Sequence, residues 1–127
     1  MGLGLAALLI GAGIPILEVN ATHVFNPAWP AHARLHEVWQ LITHSLLMAY
    51  CLRSLSAQDD ARRPAAIILM VSGGFCAAVA LQETYGGSMR HTDGTELAWL
   101  GVNVAVLVMG AIMLFSLLVL IHARARR

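Results

Sequence analysis

The chain has 127 residues, 58% of them hydrophobic and only 12% charged, with a formal net charge of +1 and a mean hydropathy of +0.71. A water-soluble domain carries about a quarter charged residues, so this chain has too little polar surface to cover an apolar core in water, and lipid is the solvent it fits. A nucleic-acid partner would need a basic face that is absent here, and the length allows one domain. Cys51 and Cys76 fall in apolar runs without C-x-x-C spacing and read as packing residues.

The first apolar stretch, residues 3–17, predicts a helix over about 2–19. Val19-Asn20-Ala21 offers a rival reading as the exit of a signal peptide. No Lys or Arg precedes the stretch, however, and Glu18 interrupts its end, both against that reading. Pro15 predicts a kink near the helix end, its lost hydrogen bond met by a neighbour.

Residues 18–40 hold three of the six histidines, two Trp and two Pro. Asn26-Pro27 is a helix-start pair, with Asn able to cap and Pro suited to a first turn. The second helix is predicted over about 30–55. His32, His36, Gln40 and His44 recur every four residues on it, a spacing that keeps them near one face. The third helix is predicted over 64–84. Its small residues Ser72, Cys76 and Ala80 would let backbones approach closely in lipid, a face suited to an oligomer contact. The fourth is predicted over 96–122 and is long enough alone for a hydrocarbon core of ~30 Å, which needs about 20 apolar residues.

Arg53, Arg62, Arg63, Arg124, Arg126 and Arg127 lie on one side of such a bundle, with only Arg34 and Arg90 on the other. Positive residues stay inside. The expected architecture is therefore an all-α, four-helix transmembrane bundle forming a single domain, multi-pass in the cell membrane (the inner membrane if bacterial), with both termini cytoplasmic. Residues 20–36 and 84–96 then face outward.

In that topology Glu18, Gln82, Glu83, Glu96 and Asn103 gather with the histidines in the outer half. Ionisable groups at membrane depth are costly and default to functional candidates. Glu18, His36 and Glu83 are the expected acid–base set, His36 carrying the proton because imidazole titrates near neutrality. Gln40, His44, Asn103 and Trp29 are the expected substrate contacts. Each has a bland reading too: interface charges for Glu18 and Glu83, a helix–helix hydrogen bond for His44, and an aromatic belt for Trp29, Trp39 and Trp99. His23, His32 and His36 could hold a metal, with Zn or Fe suited to imidazole and carboxylate. The H-E-x-x-H pattern and the paired E-x-x-H motifs of di-iron bundles are absent, and only His44 lies deep enough for haem.

The run from Thr22 to His36, followed by Gln40, resembles the signature T-H-x-x-N-P-x-W-P-P-H-A-x-x-H-x-x-x-Q of a family of small uncharacterised four-helix membrane proteins from bacteria and fungi. Ala31 stands where that family has its second Pro. The resemblance covers about a fifth of the chain and implies a fold without a reaction. More distantly the architecture is similar to the DoxX-like and sterol-isomerase-related four-helix bundles. The function expected is acid–base chemistry, such as isomerisation, on a small lipophilic molecule that enters from the bilayer. The alternative is a non-catalytic accessory subunit that binds a lipid or a partner.

Overall fold

The computed structural model describes residues 1–57, 60–91 and 93–125; Arg126 and Arg127 lie outside them. The described residues are mostly helical and hold five helices. They fall into two compact units, Met1–Pro64 and Ala65–Arg127.

The first unit is a helical pair. Helix α1 (Gly2–Glu18) buries Leu3, Ala6, Ala7 and Ile10, one face at the i, i+3, i+4, i+7 spacing. Helix α2 (Ala31–Ser56) buries Leu41, Met48, Cys51 and Ser54. Pro30, extended at ψ 144°, directly precedes its first turn. Within α1 the segment Leu9–Gly13 is wound as a π-helix, and the Ile14 N–H reaches back five residues to the Leu9 carbonyl. The cause of the disturbance is legible. Pro15 has no N–H to offer the Gly11 carbonyl four residues before it. The Ser45 hydroxyl of α2 donates to that carbonyl at 2.8 Å, so the hydrogen bond lost to the kink is restored by a neighbouring helix.

Helix α3 (Arg62–Ala80) crosses from the first unit into the second. At its start Asp60 accepts from the Arg62 Nε at 2.6 Å. That hydrogen bond, with one from the Arg62 backbone, holds the Asp60 carboxyl below the usual carboxylate range. The helix expected over 64–84 stops at Ala80, because Leu81 leaves helical geometry with φ −100° and ψ 2°. A separate turn, α4 (Gln82–Tyr85), follows and ends on Gly86 in the left-handed region at φ 72°, a position where a side chain would be strained.

The start of the last helix is corrected as well. Residues expected to begin it at 96 instead form a two-stranded antiparallel hairpin, β1 (Ala98–Trp99) and β2 (Val102–Asn103), with Ala98 opposite Asn103 and Trp99 opposite Val102. Helix α5 runs from Val104 to Ala125. Asn103 sets the boundary, since its Oδ1 accepts from the Ala105 N–H at 2.9 Å, which caps the helix start. The hairpin turn places both Leu100 (φ 51°) and Gly101 (φ 78°) in the left-handed region. Such turns suit Asn-Gly, and a leucine there costs about 1–2 kcal/mol. Leu100→Asn is therefore expected to slow amide exchange across the hairpin about fivefold, equivalent to about 1 kcal/mol. Unchanged exchange would show that the turn bears no strain.

Helices α3 and α5 are long and apolar enough to cross a membrane, yet only 22% and 17% of their apolar windows are covered by the protein. A core helix of a water-soluble domain would be covered on most sides. On α5, Leu114 and Leu118 stand 57% and 63% exposed.

Candidate functional site

The loop between α1 and α2 is built by short polar side chains. Asn20 Oδ1 accepts from the Thr22 N–H at 2.7 Å and the His23 N–H at 3.1 Å, an Asx turn that folds the chain back just past α1. Buried Asn26 ties the loop from the other end. Its Nδ2 donates to the Thr22 carbonyl and its Oδ1 accepts from the Ala28 N–H, each at 2.9 Å. The turn brings His23 over the last residue of α1, and its Nε2 lies 3.0 Å from Glu18 Oε2. The Trp29 ring packs edge-on against the His23 ring with centroids 5.8 Å apart.

These contacts allow one self-consistent placement of the protons. Asn20 Oδ1 is an acceptor, because two backbone N–H groups point at it. The Thr22 hydroxyl, 2.7 Å from that oxygen, must therefore donate to it. The same hydroxyl lies 2.9 Å from His23 Nδ1 and, its one hydrogen already used, can only accept there. In this arrangement Nδ1 carries the hydrogen. The Nε2–Oε2 contact then needs a second proton, held either on the imidazole or on the carboxyl. Glu18 and His23 then share one proton; both side chains stay partly accessible, at 26% and 20%. Glu37 of α2 lies within electrostatic range of both.

The partnership expected for His36 is corrected here. Its Nε2 is 3.0 Å from His32 Nε2, and its ring lies beside Trp39 with centroids 5.8 Å apart, while the Glu18 carboxylate goes to His23. The sequence did hold the signal, in the turn-forming Asn20 and Thr22 just past Glu18. Of the substrate contacts expected on α2, Gln40 is exposed and His44 half-buried; Trp29 packs on His23. Of the histidines expected to hold a metal, His32 and His36 lie together and His23 lies against Glu18. Among the described residues, no group of three or more His, Cys, Asp or Glu is placed to hold a metal ion.

Glu83 and Asn103 belong to the second unit. They line an open cleft of about 420 Å³ together with Gln82, Arg90 and Glu96. Glu96 joins two walls of it: one carboxylate oxygen lies 3.6 Å from Arg90 Nε and the other accepts from Asn103 Nδ2 at 3.2 Å. In the adjoining loop Asp93 accepts from the Thr95 hydroxyl at 2.6 Å. That bond leads the effects that keep the Asp93 carboxyl below its usual range. Comparison with family models, with curated proteins and with solved structures finds no match.

Proposed function

We propose that the chain is a multi-pass membrane protein that moves protons on a small lipophilic substrate, an isomerase-like acid–base activity centred on Glu18 and His23. The observation that carries this reading is the 3.0 Å contact of His23 Nε2 with Glu18 Oε2, with the Thr22 hydroxyl 2.9 Å from Nδ1. Isomerisation of an unsaturated lipophile needs a proton added at one carbon and removed from another, without redox change. Imidazolium at Nε2 supplies the first and the neighbouring carboxylate accepts the second. Thr22 keeps the ring from turning. His36 and Glu83, expected from sequence to share the catalysis, hold no role in this step.

The membrane reading rests on α3 and α5 and on their uncovered apolar sides, with α1 and α2 as the further spans of a four-helix bundle. The arginine distribution puts both ends in the cytoplasm. Single cysteines introduced at the exposed Ala28 and Arg90 in a background lacking Cys51 and Cys76 are expected to react with an impermeant maleimide from outside. Cysteines at Ala57 and Ala125 should react only after permeabilisation. A reversed pattern at either pair overturns the topology.

The activity is tested by solvent exchange. The full chain, in vesicles of total lipid extract made up in deuterium oxide, should place deuterium on carbon in at least one lipophilic component read by mass spectrometry. The reading fails if no component gains label above protein-free vesicles.

A further inference from the structure

The His32–His36 pair plays no part in the Glu18–His23 step. The two residues lie one helical turn apart near the start of α2, and both are exposed. Their rings meet edge-to-face, with centroids 4.5 Å apart and planes at 83°. The two Nε2 atoms approach to 3.0 Å. Two neutral imidazoles can approach this closely only if one N–H points at the other's lone pair. If the donor ring moves its hydrogen to Nδ1 and the rings turn slightly, both Nε2 lone pairs are free to bind one divalent ion lying off the line between them.

We propose that His32 and His36 form a two-nitrogen site for a divalent transition-metal ion of the copper(II) or nickel(II) type. Metal–imidazole bonds of ~2.0–2.1 Å, spanning nitrogens 3.0 Å apart, subtend roughly 91–97° at the ion. That angle matches adjacent corners of a square-planar or octahedral ion, the geometry of copper(II) and nickel(II). A tetrahedral zinc would have to spread the nitrogens to about 3.3 Å. The helix fixes the spacing, so no loop has to be ordered on binding. Water fills the other positions, which leaves the ion open to a further ligand from the outer side. This site replaces the three-histidine set with two ligands, and it stands independently of the proton-transfer reading because it shares no residue with that site.

Trp39 supplies the readout, since its ring lies beside His36 and copper(II) quenches a nearby indole. Untagged full-length protein in detergent is titrated with copper(II), nickel(II) and zinc(II) salts alone. The expected result is one-to-one quenching by copper(II), with nickel(II) competing better than zinc(II). Trp39→Phe should remove most of the fluorescence response while the nitrogen couplings in the copper electron paramagnetic resonance spectrum persist. His32→Ala and His36→Ala should each weaken binding about tenfold or more, because the second nitrogen of a preorganised pair binds intramolecularly. His91→Ala should bind as the parent does. Circular dichroism checks that the variants keep their helix content, which exposed positions allow. Wild-type affinity in both His32→Ala and His36→Ala overturns the proposal, as does a parent protein that binds no copper(II) under these conditions.

Discussion

Replacing His23 with alanine is expected to cut the rate of deuterium incorporation by about 10²–10⁴-fold, the usual worth of a positioned acid or base. The imidazole both holds the shared proton and, through Thr22, fixes its direction. Glu18→Gln should fall in the same range, because an amide cannot accept the second proton. The double variant should be no slower than the worse single one, since groups that act as a unit lose their joint effect once. Thr22→Val leaves both titrating groups in place but frees the ring, so it should lower the rate by less and without a change in helix content. His36→Ala should leave the rate unchanged. Independent, multiplying losses in the double variant would show that Glu18 and His23 do not share a step. A rate that survives His23→Ala would remove the pair from the chemistry altogether.

Gly11→Ala is expected to destabilise the first unit by about 1–3 kcal/mol, the range for forcing volume into a filled contact. A Cβ at this position would lie 2.5 Å from the Met48 Cβ and 3.2 Å from its Cγ. The Met48 Cβ is fixed to the backbone of α2 and cannot swing aside, so the helices would have to part. Parting them also stretches the Ser45–Gly11 hydrogen bond, which answers the carbonyl that Pro15 leaves without a partner. Met48→Gly in the Gly11→Ala background removes the overlapping atom but empties a fully buried site. That costs about 2–5 kcal/mol, so this variant should be less stable still. Gly4→Ala, where nothing lies within 4 Å, should be neutral or slightly stabilising through better helix propensity. Unfolding in mild detergent followed by circular dichroism would read all four proteins. Equal stability of Gly11→Ala and Gly4→Ala would show that the close crossing is unimportant. In lipid such close contact, more than removal of apolar area from water, holds helices together.

The sequence by itself determined what depends on composition and on neighbours along the chain. Apolar runs placed the helices found at Gly2–Glu18, Ala31–Ser56, Arg62–Ala80 and Val104–Ala125, because a helix satisfies its backbone within its own segment. Pro15 announced a kink whose lost bond a neighbour would supply, and the four-residue spacing put His32 beside His36, since local geometry alone fixes that pair. Two helix ends, at Ala80 and Val104, lie inside the apolar runs that predict them. Hydropathy there continues past the break, while the deciding groups are Leu81, the left-handed Leu100-Gly101 turn and the Asn103 cap. The identity of the histidine facing Glu18 was settled only by the three-dimensional fold of residues 19–30. Periodicity favoured His36 because it extends a helix face. The Asn20 and Asn26 turns instead carry His23 back over the end of α1. Hydrogen bonds from side chain to backbone set the path of such a loop, and they leave no period in the sequence.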